Sequence, residues 1–249
     1  MNEIHAVFLD DGGVLNNNEL RAPQWQELIA QYFVPRYGGD HNAWKQANRI
    51  SFEKLIKSWR KAKKEPEIDF NVFWQKESEQ WVTTMFHHVG VAPPPSHELY
   101  SVAIKAEEWI TPRVHAAFPG VIETVHHLKE RGYSLFTASG GTSWQLRGYL
   151  KGMGIADYFE EFYGADLINT MKASSLYYKR MFKHAGISPA QALVVDDFPE
   201  NIMRAQEVGA TGILVTTSEN ENQKNVFYSI KRIDSLPNLL DKIIHKNNK

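Results

Sequence analysis

Nearly a hundred residues of helical pattern, from about Asn17 to Pro112, separate one short apolar run, Ala6-Val7-Phe8-Leu9, from a region in which strand and helix patterns alternate. That order restricts the fold more than any other feature of the chain. From Phe118-Pro119-Gly120 onward the sequence reads as a helix to Arg131, a strand over 133–137, a helix near 143–151 and a short strand near 161–165. A helix over 174–185, a strand over 192–196, a helix over 199–207 and a strand over 211–216 follow. Alternation at this interval implies right-handed crossovers and a parallel sheet covered on both faces. Gly132, Gly186 and Gly209 stand where helices should end, and Pro199 where a first helical turn accepts a proline.

The long helical stretch holds six of the seven tryptophans, enough aromatic surface to pack as a bundle of its own. Apolar residues recur there at helical spacing in Trp25-Leu28-Ile29-Tyr32-Phe33, in Phe52-Leu55-Ile56-Trp59 and in Phe70-Phe73-Trp74-Trp81. Pro93-Pro94-Pro95 marks a break between helices. The expected architecture is therefore α/β: a Rossmann-like, doubly wound parallel-sheet core from residues 1–16 and 113–249, with an α-helical cap domain inserted over 17–112. The last residues, Lys246-Asn247-Asn248-Lys249, are expected to fray.

Composition removes several function classes. A formal charge of −1 gives no electrostatic footing for nucleic acid, and the absence of cysteine excludes disulfides, thiol catalysis and cysteine-ligated metals. No run approaches the roughly 18 apolar residues of a membrane span. With Met-Asn-Glu-Ile-His at the start, lacking a basic leader, a cytoplasmic location is the expectation. The ten histidines form no metal-ligand spacing.

Chemistry concentrates at strand ends. Asp10 closes the first apolar run, and Asp196-Asp197 close another, Leu193-Val194-Val195. In an open parallel sheet, ligands bind beyond the carboxyl ends of the strands, so these residues meet if their strands are neighbours. Three carboxylates in one crevice repel one another unless a cation sits among them, and hard oxygen ligands suit Mg²⁺. A plainer account also exists: Asp10 could cap a turn, and Asp196-Asp197 could serve as the N-cap of a helix.

These residues, taken in order, resemble the four motifs of the haloacid dehalogenase superfamily. Asp10-Asp11-Gly12-Gly13-Val14-Leu15, then Thr137, then Lys172, then Asp196-Asp197 with Asn201 four residues on carry the resemblance, over about Ile4 to Val215. It implies Asp10 as a nucleophile that forms an aspartyl-phosphate and Lys172 as the cation that neutralises it and the phosphoryl oxygens. It also implies phosphate binding by Thr137 with the amides of Ala138 and Ser139. The metal ligands implied are Asp10, the Gly12 carbonyl, Asp197 and, directly or through water, Asp196, with Asn201 orienting that pair. Arg21 and Trp25, just past the nucleophile, are candidates for substrate contact. The basic residues of the second cap helix, Lys45 through Lys64, are expected to form a solvated face.

One position departs from the pattern. Phosphatases of this superfamily usually place a second Asp two residues after the nucleophile, to protonate the leaving group; here Gly12 stands there. The resemblance therefore implies a hydrolase, most simply a Mg²⁺-dependent phosphatase of a small phosphate monoester, with turnover sensitive to the leaving group and a Gly12→Asp change expected to narrow that sensitivity. A carbon–halogen hydrolase explains Gly12 directly. Family dehalogenases, however, work without metal, with an aromatic residue at position 12 and a serine-rich fourth motif. A catalytically degenerate binding domain is the third reading.

Overall fold

The computed structural model describes residues 4–65, 68–216 and 228–247. Its centre is a six-stranded sheet, all parallel, in the order β3-β2-β1-β4-β5-β6. The strands are β1 (Ala6–Leu9), β2 (Ser134–Ala138), β3 (Phe159–Tyr163), β4 (Ala192–Asp196), β5 (Thr211–Val215) and β6 (Tyr228–Ile230). β3 begins two residues before its expected start, because Phe159 pairs with Leu135 ahead of a register shift. β6 and a final helix extend the fold beyond the last expected strand.

Alternate side chains of β1 explain why both faces are covered. Val7 and Leu9 join Leu135, Leu193 and Val195 beneath α5 (Val121–Glu130), α6 (Ser143–Gly152) and α9 (Leu236–Asn247). Ala6 and Phe8 join Phe136 and Val194 beneath α7 (Ser175–Ala185) and α8 (Pro199–Glu207). With period-2 alternation and helices on each side, every strand residue of β1 is buried. Pro199 opens α8 as expected, and Gly186 ends α7 in the left-handed conformation. α9 runs to Asn247; Asn248 and Lys249 lie outside the described residues.

Four helices form the insert between β1 and α5: α1 (Asn18–Tyr37), α2 (His41–Ala62), α3 (Phe70–Val89) and α4 (Leu99–Ile110). Their starts are fixed locally. The side chains of Asn17, Asp40 and Asp69 accept hydrogen bonds from the amides of Glu19, Ala43 and Val72, satisfying donors that a helix start leaves open. Phe33, Trp44, Trp81 and Phe86 form the buried centre of this insert, with Phe33 and Trp44 stacked at 4.7 Å. The insert leaves and rejoins the sheet at one place, where Asn16 pairs with Ala117 in an antiparallel bridge. The return segment lies tightly on α6: a Cβ at Gly148 would overlap the Thr111 side chain, and one at Gly152 would stand 2.7 Å from the Pro112 carbonyl. The fold class is the expected one, a Rossmann-like doubly wound sheet with an inserted helical layer.

Candidate active site

β1 is flanked by β2 and β4, and the chain order reverses there: later strands run outward in one direction from β2 and in the other from β4. Such a switch point opens a crevice beyond the strand ends. Leu9 is in register with both Thr137 and Val195, so the next residue of each strand, Asp10, Ala138 and Asp196, stands at the mouth of this crevice.

Asp10, Asp196 and Asp197 meet there, with one carboxylate oxygen of each within 4.8 Å of the others. Lys172, on the loop before α7, reaches between them: its ammonium donates to Asp10 Oδ1 at 2.8 Å, lies 2.5 Å from Asp196 Oδ2 and also donates to the Ala138 carbonyl. Asp196 is fully buried and well supplied with donors, since it also accepts from the Phe198 amide at 2.8 Å and the Asn201 side chain at 3.1 Å. Asp197 differs, because its Oδ1 is buried without a partner. Gly13 makes its approach possible. The residue has φ +87°, and a Cβ there would overlap the Asp197 carboxylate.

The charge balance is incomplete. One ammonium faces three carboxylates, and burial together with Asp196 and Asp197 pushes the Asp10 carboxyl upward despite Lys172. Burial and Asp196 likewise push Asp197 up to about 6. Both shifts, and the orphaned Asp197 oxygen, describe a site short of positive charge, and an oxygen-only donor set of this kind suits a hard divalent cation.

The second motif is arranged differently from the expectation. Thr137 is fully buried, its hydroxyl has no partner, and it does not line the cavity above Asp10. Ser139 does. Side chains two apart share a face of a strand, so Ser139 stands one pleat further out than Thr137 on the same side. The Ser139 amide is not free to bind an anion, because it donates to the Tyr163 carbonyl at 2.9 Å, while Tyr177 donates to the Ser139 carbonyl at 2.9 Å and holds the loop.

Asp11 takes no part in the carboxylate cluster. Its side chain accepts from Asn16 Nδ2 and from Arg21 Nη1, both at 2.5 Å. Arg21 also donates to Asn18 and lies 5.1 Å from the Tyr149 ring centre, and Trp25 donates to the Tyr149 hydroxyl at 2.7 Å. A Cβ built on Gly12 would meet Asn18 Oδ1 at 2.9 Å and Arg21 Nη2 at 3.0 Å. The place of the usual acid is thus filled by a guanidinium and a carboxamide. Asp11 and neighbouring acids outweigh burial and hold the Arg21 pKa above its ordinary value, so this group stays charged.

Over these residues lies a cavity of about 950 Å³, closed on the far side by the insert. Arg21, Trp25 and Asn201 all line it. So do Arg49 and Lys63, which the sequence placed on a solvated face; Lys63 feels burial first, then Arg204 and Lys172, all of which lower its pKa. Glu107 of α4 is the feature sequence reasoning missed. It is buried on the cavity wall and accepts from Trp144 Nε1 at 2.6 Å and Gln145 Nε2 at 2.8 Å, joining the insert to the start of α6. Burial pushes its carboxyl up to about 7. A signal existed, since Glu107 falls on the stripe of Val102, Ala103, Ala106 and Ile110, where an unpaired acid would be costly.

Comparison with known proteins gives the family and the fold. Phosphoglycolate phosphatase from Vibrio vulnificus is 27% identical over 128 residues, covering 51% of this chain and 56% of that protein, so the similarity spans about half the length of the curated relative. Among solved structures, the L-2-haloacid dehalogenase of Xanthobacter autotrophicus superposes with a TM-score of 0.60 at 19% identity, over 96% of this chain and 98% of that one. The HAD-hydrolase YfnB of Bacillus subtilis, bound to magnesium, gives 0.64 at 13% identity, over 96% and 99%. At such identities the superpositions establish the fold alone. The family model of the haloacid dehalogenase-like hydrolases, however, matches residues 4–209, and with motifs and fold in agreement the chain belongs to that family of hydrolases.

Proposed function

We propose that this hydrolase is a Mg²⁺-dependent phosphatase of a small organic phosphate, acting through an aspartyl-phosphate on Asp10. The observation that carries the reading is the convergence of Asp10, Asp196 and Asp197 around Lys172 at the switch point of the sheet. The phosphatase relatives support it over about half their length.

Lys172 holds Oδ1 of Asp10, which leaves Oδ2 as the attacking atom. Attack on phosphorus forms the Asp10–phosphoryl bond and expels the leaving oxygen with its electron pair, and water then cleaves the acyl phosphate. Lys172 and the Ser139 hydroxyl face the phosphoryl group. Asp10, Asp197 and the Gly12 carbonyl would hold Mg²⁺, with Asp196 behind them, and the ion would supply neutralisation of the phosphoryl charge. Residues 17–112 act as a cap that closes over the strand ends and excludes water, hinged where Asn16 meets Ala117.

The leaving oxygen finds Arg21 and Asn18 where other family members offer an acid. A missing general acid costs on the order of 10²–10⁴ in rate, and most for basic alkoxides. The geometry revises the expectation for Gly12→Asp. A carboxylate placed there would lie against Arg21, which favours its ionised form, so the variant should leave the ratio of aryl to alkyl phosphate turnover unchanged. A ratio that narrows tenfold or more would refute this account of Arg21.

The deciding experiment is a panel of phosphate monoesters assayed with and without Mg²⁺, with Asp10→Asn as blank. Turnover should require both Mg²⁺ and Asp10. Gly12 keeps a second reading in view: metal-independent halide release from 2-haloacids, abolished by Asp10→Asn, would establish a dehalogenase instead. No Asp10-dependent reaction of either kind would establish a binding domain.

A further inference from the structure

The cavity is far larger than a phosphoryl group needs, and its two halves differ in chemistry. About 950 Å³ lies near the upper end of the range for sites that enclose drug-sized ligands. Its floor is Asp10, Lys172 and Ser139. The stripe Phe52, Leu55, Ile56 and Trp59 of α2 lines the cavity, with Trp59 also packed edge-on against Phe70 and Trp74 of α3. Phe52 is 54% exposed, and Phe198, on the core side of the same opening, is 58% exposed. Large apolar side chains left in water on both sides of one opening mark a place where something apolar is bound.

Polar groups of this wall are mostly spent on each other. Trp81 donates to Asn48 at 3.0 Å, Ser58 to Glu77 at 2.6 Å, and Arg49 to Glu53 at 2.9 Å. What the α2 stripe offers a ligand is ring and hydrocarbon surface, with the charged groups Lys63 and Arg204 also on the cavity lining. Trp74, another wall residue, is the exception: its indole N–H is buried without an acceptor. A buried donor without a partner is costly, and an oxygen on the ligand would relieve it.

The chemistry of the floor points the same way. With Arg21 and Asn18 in place of an acid, the leaving oxygen departs unprotonated, which an aromatic hydroxyl tolerates and an alkoxide does not. We propose that the substrate is the phosphate monoester of a bulky aromatic hydroxyl compound, its ring system seated between α2 and Phe198 and an acceptor oxygen within reach of Trp74. This rests on the phosphatase reading of the same site. The P–O bond breaks as the Asp10–phosphorus bond forms, and the electron pair leaves on the aryl oxygen as a phenolate paired with the Arg21 guanidinium. That phenolate takes its proton from water after release.

The test is calorimetric titration of the full chain, in Mg²⁺, with methylphosphonate, benzylphosphonate and (2-naphthylmethyl)phosphonate, with a sugar bisphosphate as the competitor that Lys63 and Arg204 would favour. The naphthyl compound should bind at least thirtyfold tighter than methylphosphonate, about 2 kcal/mol at 1.4 kcal/mol per tenfold. Phe52→Ala and Phe198→Ala, at exposed side chains whose truncation spares the core, should each erode that ratio at least threefold. Equal affinities across the three phosphonates, tighter binding of the bisphosphate, or a ratio indifferent to both variants would overturn the proposal. Turnover of 2-naphthyl phosphate is read separately: Asp10-dependent turnover of every ester without preference for size sinks the aromatic substrate and leaves the phosphatase standing. No turnover of any ester sinks the phosphatase, whatever the phosphonates show, and the naphthyl compound is then no substrate.

Discussion

Replacing Glu107 by glutamine should make the protein more stable at pH 8 while leaving it nearly unchanged at pH 5. The wild-type carboxyl is buried, with a pKa raised from 4.5 to about 7. A raised folded-state pKa means that the native state holds the proton more tightly than the unfolded chain does. The associated stability is complete below pH 4.5 and is lost as pH rises towards 7. At 1.36 kcal/mol per unit the full loss is roughly 3 kcal/mol, of which about 2–3 kcal/mol falls between pH 5 and pH 8. Glutamine has nearly the same shape and no charge. It can accept from Trp144 and donate to Gln145 once that amide turns over, so no polar group need be stranded. Urea unfolding of both proteins at pH 5, 6, 7 and 8 measures the difference. Asp10 and Asp197 are raised too, but they contribute to both proteins and cancel in the subtraction. A wild-type-minus-variant difference that stays flat across this range would refute the reasoning, and would mean that Glu107 is ionised throughout and held by its two donors.

Two glycines test the geometry elsewhere. Gly13→Ala must adopt φ +87° with its methyl group against Asp197; Mg²⁺ affinity by calorimetry should fall at least tenfold and Asp10-dependent turnover with it, while circular dichroism stays native, and retained metal affinity would count against Asp197 as a ligand. Gly148→Ala should cost about 1–3 kcal/mol of unfolding free energy by overpacking against Thr111, a loss that shrinks when Thr111 is also alanine; additive losses would show that the two do not meet.

Asp10, Lys172 and Asp197 could be found in the sequence because each sits at a strand end or in a loop whose place in the motif order is fixed. Register does the rest, since Leu9 pairs with both Thr137 and Val195. In the second motif a two-residue period places Thr137 and Ser139 on the same side and does not say that Ser139 rather than Thr137 lines the cavity. Helical periodicity has a similar limit. It groups Phe52, Leu55, Ile56 and Trp59 on one face of α2 without saying that the same face meets both α3 and a cavity. The Asp11–Arg21 pair and the Glu107 contacts to Trp144 and Gln145 join residues from separate elements, and no local pattern encodes such a meeting.

The place of β1 in the sheet bears on how the protein folds. This first strand ends up at the centre, paired with strands that begin at Ser134 and Ala192. During synthesis its apolar run must therefore wait for partners made much later, and contacts so distant along the chain make for slow folding. The bridge between Asn16 and Ala117 shortens that wait. Once the four helices between them have packed, the two ends of the insert are already side by side, and the loop that remains to be closed between β1 and β2 is a small fraction of its sequence length. Each halving of an effective loop spares about 0.6 kcal/mol of closure entropy. The aromatic bundle over the site would then also be the part of the chain that brings β1 to its neighbour.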